Sequence, residues 1–545
     1  ITFNGGTIQE GNPNRQLFTL TGHLTLNNMV NINSGSITTG VEVAGFVDGT
    51  GGFTMDQGWI YVTGGTNTYS GPTVINGGRY LYVGKTNLYS GVLGTGVVTN
   101  YGTVYGYSSL ITGGSIVNYG AVYCNTGVLC VGNMVNNGSL YLDRQGSFVC
   151  SNAFLGSGTT YLRGGGEMIV SGSVSSNAQL KMVAGSLTLT NGAVFRLYQE
   201  MQVADKITNN VGLAVEPANV TAVVNVPDGC TLTAQAITFG NGMMGRATGI
   251  LNQAGGWVRT TGTAAEGNGI RLGHYPAAYS VYNMMGGTLI VEKNYDLSCA
   301  TDGTGWFNMT GGEVFATRVM LNERDGGGGY GRLTVAGGVL NVGTLDVSVG
   351  AATNAITADN SAPYQIEYGG AGGVIRAVTN IFLPLNATLY GTGTNAITFD
   401  SQANAISLSG NLTGAGGLNK AGAGTLTLSG TNTYAGGTRI LQGRVVRGTA
   451  KALPSGGVVL FGVTADDAGG QLYASGDLSL EGVVAGVANP EALDKSKSYT
   501  IAAYGGTLTA KFMDEALPAP WSVYYDGDHK RVQLKVFSGT VFWLR

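Results

Sequence analysis

Short alternations of apolar and polar residues, broken every few positions by glycine or asparagine, run along most of the chain. No stretch carries the 3.6-residue recurrence of an amphipathic helix. The clearest set starts near residue 98. The segments VTNYGTVY (98–105), IVNYGAVY (116–123) and MVNNGSLY (134–141) place Gly102, Gly120 and Gly138 eighteen residues apart, and LGSGTTY continues the series with Gly158. A repeat that short holds three short strands and three tight turns, not a pair of helices. One such coil cannot bury its inner face alone, so successive coils must stack, each rung about 4.8 Å above the last. Glycine and asparagine are expected at the corners, where a positive φ is needed.

The aligned glycines set a register. They put Tyr105, Tyr123, Tyr141 and Tyr161 at one place on successive rungs, with Tyr82 as an extension. Val104, Val122, Leu140 and Thr160 come one residue earlier and must face the other way, into the core. The tyrosines are then an outward aromatic ladder that could meet a sugar or a neighbouring molecule. The plainer alternative is that stacked rings only stabilise adjacent strands. The same register stacks Cys130 on Cys150, close enough for a disulfide, although buried thiols are the expectation because parallel in-register strands point both side chains the same way.

A second array occupies 249–345, where ILNQAGGWV, VYNMMGGTLIV, WFNMTGGEVF and RLTVAGGVLNV align Gly255, Gly286, Gly311 and Gly337. Its coils are larger, with glycine-rich polar loops between them. A third pattern relates distant parts of the chain. GTGGFTMDQGWIYVTGGTNTYSGPTVINGG (49–78) and GAGGLNKAGAGTLTLSGTNTYAGGTRILQG (414–443) align without a gap and share GTNTY. The second copy resembles the autotransporter-associated β-strand repeat of bacterial surface proteins. KSYTIAAYGGTLTAKF followed by ALPAPWSVYYDGDHKRVQL is similar to the segment that closes such regions. The resemblance implies a right-handed parallel β-helix, export, and display outside the cell. A membrane β-barrel often follows these repeats and would need many alternating strands of about ten residues. None is read here.

Composition narrows the choice. Glycine is 93 of 545 residues without a G-X-Y period, which excludes collagen, and 43% hydrophobic content with a net charge of −3 excludes disorder. Charged residues are only 11% and form no basic stripe, so nucleic acid is not an expected partner. No run is long and apolar enough for a transmembrane segment, and no leader pattern precedes Ile1, as expected of a processed, secreted form. The five cysteines are too scattered for a disulfide scaffold or a zinc site.

The chain divides into a tight solenoid over 1–195, an irregular bridge over 196–248, a looped solenoid over 249–448, and a solenoid end over 449–545 closed by a hairpin cap around Asp526-Gly527. Candidate chemistry is sparse. Asn322-Glu323-Arg324-Asp325, with Asp296 and Asp302 nearby, is the best carboxylate cluster, yet charges flanking an arginine in a polar loop are usually only solvated. His23, His274 and His529 lie in distant segments, which a solenoid does not bring together. No catalytic residue, cofactor or metal is expected. The favoured role is an extracellular structural or adhesive rod that self-associates end to end through Ile1, Phe3, Val541, Phe542, Trp543 and Leu544. The alternative is a carbohydrate-active or glycan-binding β-helix.

Overall fold

The computed structural model describes residues 1–9, 17–33, 40–65, 67–85, 91–107, 110–125, 128–130, 132–143, 146–150, 153–172, 174–203, 220–240, 247–262, 268–292, 296–322, 329–343, 356–357, 364–449 and 451–537. Strands of two to seven residues follow one another, and among the described residues the only helical elements are the 3-10 turns Gly393–Asn395 and Pro490–Ala492. Two compact units divide the chain, residues 1–263 with 277–280 and residues 264–276 with 281–545.

Three long parallel sheets organise the first unit. One runs from Leu17–Leu20 to Ile237–Phe239, each strand paired to its equivalent one coil later. A second runs from Gly6–Gln9 to Phe154–Leu155. The third stacks Ser147–Cys150, Glu167–Ser171, Gly185–Thr190, Val220–Val226 and Ala247–Gln253. The second unit repeats the plan, with one sheet from Thr304–Met309 to Leu412–Thr413 and another from Thr288–Val291 to Asp514–Ala516. The protein is an all-β parallel β-helix. The expected cap closes its last sheet, where Arg531–Val536 pairs antiparallel with both Trp521–Asp526 and Tyr499–Tyr504.

Alternation inside each strand builds the core. Val104, Val122, Leu140 and Thr160 are essentially inaccessible to solvent. Each buried aliphatic side chain of this kind contributes about 1.5–3 kcal/mol. Cys150 is also buried, whereas the side chain of Cys130 lies outside the described residues.

The corner residues work differently from the expectation. Gly102, Gly120 and Gly138 do not have positive φ. A Cβ on Gly120 would collide with the carbonyl oxygen of Gly102, one on Gly138 with that of Gly120, and one on Gly158 with that of Gly138. Glycine is required here because the coils approach backbone to backbone. The neighbouring asparagines are not turn residues either. Asn100, Asn118 and Asn136 point inward and are fully buried. The Asn100 side-chain amide donates to Asn118 Oδ1 at 2.7 Å and that of Asn118 to Asn136 Oδ1 at 2.8 Å, with backbone carbonyls taking further donors. A buried amide costs little when every polar atom finds a partner, and stacking identical residues supplies those partners. In the second array the glycine pairs divide the two tasks. Gly311 and Gly337 leave no room for a Cβ, while Gly312 and Gly338 take positive φ of 78° and 74°.

Candidate functional site

Six tyrosines form one column on the outer face of the first sheet. Strand register aligns Tyr61, Tyr82, Tyr105, Tyr123, Tyr141 and Tyr161. Their ring centroids are 4.5, 5.0, 4.9, 4.4 and 4.6 Å apart in that order, and no pair is inclined by more than 24°. The inward residue of each strand locks the backbone, so the rings have little choice but to stack at the rung spacing. All six are half-buried. Burial, followed by the neighbouring phenols, pushes Tyr82 and Tyr123 up to about 12. These phenols therefore stay neutral in physiological conditions and can donate hydrogen bonds.

The stack has defined surroundings. Glu42 precedes Tyr61 in register, and Lys181 follows Tyr161. Lys85 lies 5.6 Å from the Tyr61 ring, and the Arg163 guanidinium lies 4.4 Å from the Tyr141 ring while pairing with Asp143. Trp59 meets Tyr61 edge-on at 5.2 Å. A second stack, Tyr101 on Tyr119 at 5.0 Å, stands more exposed at the adjoining corner. Because rings within the ladder cover one another, a ligand meets mostly their edges and hydroxyls. Aromatic edges and neutral hydroxyls suit contact with polar groups across an interface.

Among the described residues, the other candidates lie in separate places. Asn322 is buried and donates to the Gly329 carbonyl, and Glu323, Arg324 and Asp325 lie outside the described residues. Asp296 is engaged by Arg318 through two nitrogens. His23 bonds Asp48 at 2.8 Å and His529 bonds Asp526 at 2.9 Å, while His274 is buried in another coil. No group of three metal-capable side chains occurs among the described residues. Of the residues expected to mediate self-association, Ile1 is exposed and Phe3 half-buried, and Val541, Phe542, Trp543 and Leu544 lie outside the described residues.

One cluster escaped sequence reasoning. On the outer face of the second unit, Glu367 accepts from Arg332, Gln365 and Thr334, Tyr330 donates to Gln365, and Arg332 stacks on Trp306. These residues come from coils of unequal length, so no fixed spacing pointed to them.

The shared GTNTY motif also acquires a geometry. Asn67 accepts from the Val47 amide at 2.8 Å and donates to the Val92 carbonyl at 2.7 Å. Asn432 does the same between Leu412 and Ala452, at the same distances. Tyr69 and Tyr434 are buried, with their hydroxyls on Thr73 and Thr438 at 2.7 and 2.6 Å. The motif is a clamp joining a coil to the one before and the one after.

Both copies match the family model described as the passenger-associated-transport-repeat, at residues 48–79 and 418–446. A curated adhesin, the BmaC autotransporter of Brucella suis biovar 1 (strain 1330), is 38% identical over 110 residues, which is 20% of this chain and 3% of that protein. The chain therefore aligns with only a small part of that relative. No described helix is long and apolar enough to cross a membrane, which says nothing of a β-barrel.

Proposed function

We propose, from the two passenger-associated-transport-repeat segments and the similarity to an autotransporter adhesin, that this chain is a surface-exposed adhesive element whose contact surface is the tyrosine ladder of the first unit, with a structural and not a catalytic role. The observation that carries this reading is the ordered six-ring stack. Aromatic side chains already held in one geometry lose little conformational entropy when they meet a partner, and tyrosine combines apolar area with a hydrogen-bonding tip. The similarity to an adhesin supports the same reading. Replacing Tyr105, Tyr123 and Tyr141 together by serine is expected to lower attachment of protein-coated beads to host-cell surfaces by at least about tenfold, the effect of losing a few aromatic contacts at the centre of an interface. Far-UV circular dichroism checks that the β-helix persists. Undiminished attachment by a folded triple variant would end the proposal.

End-to-end self-association through Ile1, Phe3 and Val541, Phe542, Trp543 and Leu544 is a separate proposal. Sedimentation of protein lacking residues 539–545 tests it, and assembly identical to that of the full chain rules it out.

A further inference from the structure

An open groove of about 620 Å³ lies on the outer face of the third sheet of the first unit. Its lining comes from four successive coils, through Ser147, Gly165, Glu167, Gly185, Ser186 and Thr221 among others. Strand register places Ser147 against Glu167 and Glu167 against Ser186. The groove thus runs parallel to the stacking direction, and its polar groups recur at the rung spacing of about 4.8 Å. Glycine makes the hollow. Gly165 has φ +76°, and a Cβ there would meet no atom within 4 Å. Gly185 has φ +98°, and the carbonyl of Gly166 occupies the place of its Cβ. Side chains are therefore missing from the floor for backbone reasons, and an open channel remains between the two sides.

The chemistry of the lining narrows the occupant. Among the described residues the lining holds one carboxylate, three hydroxyls, and no lysine, arginine or histidine, which disfavours phosphates, sulfates and uronic acids. Of the described lining residues, Ala184 and Val223 alone add apolar side chains, too little to retain a lipid or the anchors of a peptide. Glu167 is held ready, since its Oε1 accepts from Thr188 at 2.7 Å and, among the described residues, its Oε2 has a long 3.4 Å contact with the Ser147 hydroxyl. A carboxylate oxygen with spare lone pairs, flanked by hydroxyls that both donate and accept, matches a ligand that is itself a row of hydroxyls.

We propose that this groove binds a neutral, hydroxyl-rich linear glycan lying parallel to the stacking direction, with Glu167 accepting from its hydroxyls and Ser147, Ser186 and Thr221 completing the contacts. The volume falls within the usual range for small-ligand sites, ~300–1,000 Å³. The groove shares no residue with the tyrosine ladder, so either reading can fail without the other.

Isothermal titration of the full chain tests the proposal, with cellohexaose, laminarihexaose and mannohexaose as neutral probes and an oligogalacturonate of equal length as the charged one. At least one neutral probe is expected to bind with Kd near or below about 1 mM, and the uronate is not. Ser186→Trp and Thr221→Trp each fill the channel from an outward position and are expected to weaken binding at least tenfold. Glu167→Gln keeps the shape, removes the charge, and is expected to weaken it severalfold. Ser407→Trp, which adds a ring on the second unit, is the control and should bind as the wild type does. The proposal is overturned if no neutral probe binds at millimolar concentration, if the uronate binds as well as they do, or if both tryptophan variants, shown folded by circular dichroism, bind unchanged.

Discussion

The two passenger repeats hold the same clamp in different settings. Around Asn67 and Asn432, and around Tyr69 and Tyr434, the hydrogen bonds agree to within 0.1 Å. They part at the positions aligned by the repeat, where Met55-Asp56 in the first stands against Lys420-Ala421 in the second. Met55 lies inside between Ile32 and Ile75, and the polar tie is outside, where Asn31 and Asn76 both donate to Asp56. Lys420 lies equally deep, between Phe399 and Ile440, and its ammonium donates to the carbonyls of Ala421, Gly422 and Gln442. The repeat therefore specifies the clamp and leaves open which face carries the second cross-coil bond. A buried ammonium is tolerated only where three carbonyls replace its water.

The sharpest way to break the comparison is to exchange the inner residue. Met55→Lys places an ammonium among aliphatic side chains, and a loss of roughly 3–5 kcal/mol is expected in the first unit, the scale for an uncompensated buried charge. Denaturant unfolding followed by hydrogen exchange would locate the loss, and a cost under about 1 kcal/mol would show that the carbonyl cage is not what distinguishes the sites. Asn67→Leu and Asn432→Leu each strand one amide and one carbonyl, for about 2–4 kcal/mol in their own units. Unequal costs would mean that the two clamps are alike only in geometry.

A smaller effect comes from pH. Burial lowers Lys420 from 10.5 to about 8, against the opposing pull of Asp400. Between those values the unfolded chain holds a proton that the folded chain has released, so stability rises with pH. Below about 8 both forms are protonated and the slope vanishes. Relative to Lys420→Met, the wild type should gain on the order of 1–2 kcal/mol between pH 8 and 9.5. Parallel stability curves for the two proteins would remove the lysine from the account. The smallest expected change is that of Tyr69→Phe and Tyr434→Phe, about 1 kcal/mol each for one buried hydrogen bond, read as equal shifts in protection of the surrounding amides.

Periodicity made part of this architecture legible in advance. Where coils keep an 18-residue length, glycine and tyrosine recur at fixed intervals, and strand pairing follows from counting. Tyr61 was missed because 21 residues separate it from Tyr82 and 23 separate Tyr82 from Tyr105, so a loop of variable length hides the column. Glu367 and its partners are hidden for the same reason. The inward turn of Asn100, Asn118 and Asn136 was not legible because polarity alone argues for the surface. Polar partners supplied by the surrounding backbone and adjoining coils make the burial inexpensive, and that is a property of the stack, not of the residue. Lys420 is the same lesson with a charge.

The asparagine column also has a direction. Asn118 and Asn136 turn their side-chain oxygens toward the coil before and their nitrogens toward the coil after, and Asn100 sends its nitrogen the same way while its oxygen accepts from the Gly102 amide of its own coil. The small dipoles therefore point one way and add, inside a dry interior where water cannot screen them and where neighbouring hydrogen bonds polarise one another. Rotating the middle amide by half a turn would set nitrogen against nitrogen below and oxygen against oxygen above, so no member can flip by itself. The column keeps one electrical polarity throughout its length, and each coil hands that orientation to the next.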